Sequence, residues 1–234
     1  MLFLKKIIAI IPARGGSKRI PRKNIKEFFS KPLIAYSIET ALKSNLFDEV
    51  IVSTDDEEIA AIAKQYGAKV PFIRPKELSD DFTDVGQVVQ HTISYLKDNG
   101  YDLKYICTIY ATAPLLDEKY LLQGYENIKN DDIKYSFGAT SMPFPIQRTF
   151  KLDTNNRCEM FNNEHFYTRS QDLEEAYYDA GQFFWQNLEY ESDEIVFGKD
   201  SKPVILPRYL VQDLDTQEDW ERLEMMYRII NENR

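Results

Sequence analysis

Short β-branched runs alternate with longer stretches of helical period along the N-terminal half of this chain, and that rhythm restricts the fold more than any other feature. Residues 6–11 are an apolar run ended by Pro12, too short for a buried helix and therefore expected as a strand. A polar, glycine-containing loop follows. Pro32 then sits where a first helical turn tolerates it, ahead of Leu33, Ile34, Ile38, Ala41 and Leu42. The unit repeats: residues 50–53 read as a strand, and Thr54-Asp55-Asp56-Glu57-Glu58 offers a cap and first-turn acids for a helix that ends at Gly67. Further strands are expected over 70–73 and 105–110. Between them Val85, Val88, Val89, Ile93 and Leu96 mark one helix face closed by Gly100, and Asp117 caps another helix to about Lys129. Such alternation implies an α/β fold, a mostly parallel sheet with helices on both faces. Ligands of such sheets bind beyond the carboxyl ends of the strands.

Near Ser141 the rhythm breaks. Residues 141–178 are rich in Asn, Asp, Glu and aromatics without helical period, and read as an inserted arm. Strand-like runs return at 181–185, 204–206 and 209–214. A capping box, Thr216-x-x-Asp219, then opens a last helix with the apolar stripe Trp220, Leu223, Tyr227 and Ile230. Neither an internal repeat nor a flexible linker divides the chain, so one domain over residues 1–234 is expected, with the arm at about 141–178.

The 38 acidic and 29 basic residues give a net charge of −9, which repels DNA and RNA, so no nucleic-acid partner is expected. Cys107 and Cys158 form neither a disulfide framework nor a zinc ribbon. At the start, Met1-Leu-Phe-Leu-Lys-Lys splits its apolar residues with two lysines. A secretory signal needs a longer unbroken run and a membrane span ~20 apolar residues. A cytoplasmic protein without a membrane partner is expected.

Chemistry concentrates in Pro12-Ala13-Arg14-Gly15-Gly16-Ser17-Lys18-Arg19-Ile20-Pro21-Arg22-Lys23-Asn24 and the nearby Lys26. From Arg14 to Lys26 there are six basic residues and no acid, so the rest of the molecule carries −15. Glycines 15 and 16 let the backbone approach a ligand and aim amides at it, Ser17 adds a hydroxyl, and the cations neutralise a polyphosphate. A solvated basic turn or a nonenzymatic polyanion-binding module shares this composition. The placement directly behind a strand, with two glycines and two internal prolines, favours a phosphate loop that is neither Walker A nor Gly-x-Gly-x-x-Gly.

The stretch from Ile11 to Asn24 resembles the signature of the cytidylyltransferases that activate nine-carbon, sialic-acid-like sugars, Ile-Pro-Ala-Arg-Gly-Gly-Ser-Lys-x-x-Pro-x-Lys-Asn, at every fixed position. The likeness continues through Val52-Ser-Thr-Asp55, Arg74-Pro-x-Glu-Leu78 and Asp213-Leu-Asp215-Thr216. It implies a Rossmann-like, mostly parallel sheet of the nucleotide-diphospho-sugar transferase type, with an arm that crosses to a second subunit of a homodimer. It also implies attack of the anomeric hydroxyl of a 2-keto sugar acid on the α-phosphorus of CTP, with pyrophosphate released. By the same resemblance CTP is held by Ala13, Arg14, Gly15, Gly16, Ser17, Lys18, Lys23, Asn24 and Arg74. Arg14, Ser17 and Lys18 serve the β- and γ-phosphates and Arg74 the cytosine, while Lys23, Arg14 and Asp213 form the catalytic set.

Asp213 and Asp215, two positions apart on an expected strand, are expected to face one side with Cα atoms about 6.6 Å apart, and the resemblance, more than this spacing, implies that they flank one Mg²⁺, an ion commonly held by one or two carboxylates plus substrate phosphates. The alternative is an acidic cap for the last helix. Relatives specific for N-acetylneuraminic acid read Leu-Gln-Pro-Thr-Ser-Pro where this chain has Ile109-Tyr110-Ala111-Thr112-Ala113-Pro114. With Asp179-Ala-Gly-Gln182-Phe183, that run resembles the pseudaminic acid branch, and Tyr110, Gln182 and Phe183 are expected at the sugar. N-acetylneuraminic and legionaminic acids are the alternatives. Kdo enzymes, which typically lack the Gly-Gly-Ser run and the Lys-Asn pair, rank last. Use of the product in glycosylation of flagellin or other surface structures follows from the resemblance alone.

Overall fold

The computed structural model describes residues 5–129 and 132–232; Met1-Leu-Phe-Leu, which bears on the expected cytoplasmic location, lies outside them. In chain order the elements are β1 (Lys6–Pro12), β2 (Glu27–Phe28), β3 (Lys31–Pro32), α1 (Leu33–Lys43), β4 (Glu49–Ser53), α2 (Glu57–Gln65), α3 (Val85–Asp98), β5 (Leu103–Ile109), α4 (Glu118–Ile128), β6 (Tyr135–Ser141), β7 (Phe150–Leu152), β8 (Cys158–Met160), β9 (Tyr177–Asn187), β10 (Ser201–Ile205) and α5 (Gln217–Glu232). The main sheet has six strands in the order β10-β6-β9-β5-β1-β4. All neighbours run parallel except β9, which is antiparallel to both β5 and β6. Among the described residues no helix is long and apolar enough to cross a membrane.

Strand period two distributes β1 between both faces. Ala9 and Ile11 pack with Ile34 and Ile38 of α1, Ile59 of α2 and Leu121 of α4, whereas Ile8 and Ile10 meet Val89, Ile93 and Leu96 of α3. Side chains of β1 are thus dry on both faces, which is why a continuous aliphatic run could only be an interior strand. A third cluster joins Ile20 of the basic loop, Leu214 and the α5 residues Trp220 and Leu223 around Phe28. The last helix therefore anchors two distant loop segments side by side.

Two expected strands are absent. Residues 70–73 contain Pro71, which has no N–H to donate, and pairing with β4 stops at Lys69, whose amide reaches Val50 O at 2.8 Å. Residues 209–214 are instead a single 3-10 turn, Arg208–Leu210, followed by irregular chain. The arm between β6 and β9 holds the β7–β8 hairpin and three 3-10 turns, and most of its side chains are exposed.

Candidate active site

The carboxyl ends of β1, β4 and β5 open on one edge of the sheet, and three backbone bonds hold together the segments around them. Ala13 N donates to Ser53 O at 2.9 Å, Arg74 N to Thr54 O at 2.8 Å, and Tyr110 N to Gln182 O at 2.9 Å. Between them lies a cleft of about 280 Å³ lined by Arg14, Lys23, Asn24, Arg74, Tyr110 and Thr112, among others. Residues separated by up to 100 positions in sequence, from Pro12 to Thr112, thus meet around these strand ends.

Within the basic loop the six cations divide. Arg14 and Lys23 face the cleft, and Lys18 joins Arg14 in pairing with Asp81. Arg19 pairs with Asp215 at 2.6 Å. Arg22, at φ 56°, pairs with Asp56, the N-cap of α2, and lies 2.5 Å from Glu58, while Lys26 sits 4.0 Å over the Trp220 ring. Arg22 and Lys26 thus stabilise the fold of the loop. Asn24 is buried and donates from Nδ2 to Arg14 O at 2.9 Å, so it braces the backbone that carries Arg14.

Gly15 acts differently from the expectation. Gly15 N donates to Asp55 Oδ1 at 2.9 Å, and Ser17 N to Gly15 O at 3.1 Å, so the loop presents cations to the cleft more than a ring of open amides. A Cβ on Gly15 would stand 2.6 Å from Asp56 Oδ2, which explains the glycine by close approach of α2; a Cβ on Gly16 would meet nothing within 4 Å. Asp55 also lies 3.6 Å from the Arg74 guanidinium, which is buried, donates from Nε to Ser79 Oγ at 3.1 Å and has its pKa lowered by burial against the pull of Asp55.

Lys23 donates to Leu214 O, which clips the basic loop to the irregular segment carrying both late aspartates. Burial lowers its pKa despite Asp215 and Asp213 nearby. The two aspartates do not share one side of a strand: Asp215 turns to Arg19, and Asp213 accepts Leu214 N at 2.8 Å while lying within electrostatic reach of Tyr110 and Asp179. Among the described residues no three His, Cys, Asp or Glu side chains converge as a metal cage.

A second cavity, about 460 Å³, shares Tyr110 and Val85 with the cleft and is walled by Phe184, Phe197, Tyr135, Gln186 and Asp179. Tyr110, Phe184 and Phe197 form its aromatic side, with ring centroids 6.2 Å apart for the first pair and 6.4 Å for the second. Burial, then Asp179 and Asp213, push the Tyr110 phenol up to about 12. Asp179 is raised by burial and by Asp213, against a 2.8 Å bond from Gly181 N.

Phe183, expected at the sugar, is fully buried in the core beside Trp185, and its neighbour Phe184 lines the cavity instead. The cause is the bulge at Gly181, φ 61°: β6 advances from Ala139 to Phe137 while β9 advances from Asp179 to Phe184. Gln182, also expected at the sugar, is 3% exposed and donates from Nε2 to Leu210 O at 2.5 Å, so it supports the turn leading to Asp213. Asp179, Phe184 and Asp81 were missed. The Gly inside a strand run was the available signal for the first two, since it marks a bulge.

Fold and cleft define an α/β domain whose strand ends present a cationic cleft beside a roomier aromatic cavity. The cytidylyltransferase family matches residues 8–228, and the chain belongs to that family. Two pseudaminic acid cytidylyltransferases of Campylobacter jejuni are similar to it. That of strain ATCC 700819 / NCTC 11168 is 48% identical and that of strain 81-176 is 47% identical, each over 229 residues covering 97% of this chain and 99% of the relative. The solved structure of a CMP:2-keto-3-deoxy-manno-octonic acid synthetase complexed with CTP has the same fold, with a TM-score of 0.66 at 16% identity over 96% of this chain and 99% of that one.

Proposed function

We propose that this cytidylyltransferase joins CMP from CTP to pseudaminic acid and releases pyrophosphate. The anomeric oxygen of the sugar bonds to the α-phosphorus, the bond from that phosphorus to its bridging oxygen breaks, and the hydroxyl proton leaves. The observation that carries this proposal is the shared wall at Tyr110, which joins a cleft holding Arg14, Lys23 and Arg74 to the aromatic cavity. Arg14 and Lys18 take the β- and γ-phosphates, Arg74 the base, and Lys23 the charge that develops at the α-phosphate. Transfer of this kind depends on positioning and charge neutralisation, which these groups supply. Aromatic faces at Phe184 and Phe197 suit a sugar that is deoxygenated and acylated at its far end.

A magnesium ion fits this site in one manner. With no cage of three side chains among the described residues, Asp213 would hold it together with phosphate oxygens, and Asp215 would join once released by Arg19. The ion would supply charge neutralisation at the phosphates. The enzyme works as a homodimer in the cytoplasm, and its product feeds glycosylation of flagellin or another surface structure. Side-by-side pyrophosphate-release assays with pseudaminic, legionaminic and N-acetylneuraminic acids test the assignment. Pseudaminic acid is expected to give a kcat/KM at least about tenfold above the others, since one lost complementary contact is worth ~1–3 kcal/mol; faster turnover of either competitor refutes it.

A further inference from the structure

Asp81 stands on the segment that links the Arg74 turn to α3, and its carboxylate already holds the two cations read as β- and γ-phosphate ligands. Oδ1 accepts from the Arg14 guanidinium at 3.0 Å and Oδ2 from the Lys18 ammonium. The same Arg14 nitrogen donates to Asp80 O at 2.7 Å. The segment is braced from within: Asp80 Oδ1 accepts from the amides of Phe82 and Thr83, at 3.0 and 2.7 Å, and from the Thr83 hydroxyl at 2.7 Å. A phosphate and a carboxylate seeking one set of donors exclude each other by charge and by volume. Ion pairs as open to water as these are weak, so a more highly charged ligand can displace them.

We propose that Asp81 is a specificity-determining residue that competes with the β- and γ-phosphates for Arg14 and Lys18. It leaves them when CTP enters and returns as pyrophosphate departs. Every ligand that fills this subsite must displace the carboxylate, whereas one carrying only the α-phosphate does not. The site thereby discriminates against weakly charged occupants and sheds its inorganic product. The proposal rests on the assignment of Arg14 and Lys18 to the triphosphate, and the two can be separated.

Asp81→Asn and Asp81→Ser are compared with the unaltered enzyme for the KM of CTP and for inhibition by pyrophosphate and by CMP. A three- to tenfold fall in the CTP KM and a similar tightening of pyrophosphate, with CMP unchanged, is the expected pattern. Pyrophosphate affinity unchanged or weakened in both variants overturns the competition, as does an equal tightening of CMP, which signals a general change in the cleft. Arg14→Ala and Lys18→Ala serve as the second arm. If they weaken pyrophosphate and the Asp81 variants do not tighten it, only the competition fails. If they leave pyrophosphate binding unaffected, the phosphate assignment falls and the competition with it.

Discussion

Burial of the Lys23 ammonium lowers its pKa below the ordinary 10.5 even with Asp215 and Asp213 close by, so the free enzyme loses this charge at lower pH than an exposed lysine would. In the proposed CTP complex, nucleotide phosphates would oppose that loss. Because kcat/KM reports the free enzyme and kcat the substrate complex, the alkaline limb of kcat/KM is expected below 10.5 and that of kcat displaced upward from it. The stability consequence has a definite sign. Between the lowered pKa and 10.5 the unfolded chain binds more protons than the native one, so Lys23 makes stability rise with pH there, and Lys23→Ala removes that slope. The same variant is expected to fold and to lose ~10²–10³ in kcat, the usual size for one electrostatic donor, as measured by steady-state kinetics on protein with an unaltered circular dichroism spectrum. Near-full activity would remove Lys23 from the chemistry. Of the cleft-lining residues Arg14, Lys23 and Arg74, the first two were legible from a cationic loop behind a first strand and the third from the family resemblance alone. Phe183 and Asp215 were not, since side-chain direction depends on a bulge and on a partner, Arg19, that lies 196 positions away.

At the scale of elements, α4 rests on β9 through a glycine. Gly124 faces Trp185 and Phe183, and a Cβ there would stand 2.6 Å from Trp185 Cδ1 and 3.0 Å from the Phe183 ring. Trp185 cannot simply move aside, because its Nε1 donates to Leu121 O at 3.0 Å and its ring stacks on Phe47 with centroids 5.2 Å apart. Gly124→Ala gains ~0.8–1 kcal/mol of helix propensity and loses about 1–3 kcal/mol to overpacking. A net destabilisation of about 1 kcal/mol is therefore expected in denaturant unfolding, with the Lys23 pH profile unchanged; a variant more stable than the parent would mean that β9 yields. The helix facing this strand was readable from its Asp117 cap, as were β1, β4 and β5 from their short runs. The reversal of β9 was not, for an antiparallel strand buried on one face and a parallel one share the same residues. Nor was β6, whose Ser136, Gly138 and Thr140 weaken the apolar pattern that marks a strand although its interior residues are buried.

For the molecule as a whole, both proposed substrates are anions approaching a chain of net charge −9, so the field of the basic loop has to be local and its capture of CTP salt-sensitive. The arm poses the complementary problem in apolar surface. Phe144, Phe150, Leu152, Phe161, Phe166 and Tyr167 are each more than half exposed, and the β7–β8 hairpin is a two-stranded sheet of its own. Isolated hairpins are marginal in water and large exposed apolar patches mark contact surfaces, so this exposed apolar surface supports the proposed homodimer. In that proposed homodimer a second copy would supply cover by two-fold symmetry, each arm crossing to the partner's cavity. Sedimentation equilibrium at micromolar concentration is expected to give roughly twice the chain mass of 27.4 kDa. Replacing Phe161 and Phe166 together by Asp is expected to return the mass to that of one chain. It should also raise the sugar KM at least about tenfold, the cost of ~1.4 kcal/mol in lost contacts, while pyrophosphate inhibition, assigned in the proposal to Arg14 and Lys18 within one subunit, stays as it was. A wild-type enzyme that sediments as one chain at full activity would leave the arm without this role, and equal losses at the sugar and pyrophosphate sites would mean that the double variant disturbs the domain rather than the contact between subunits.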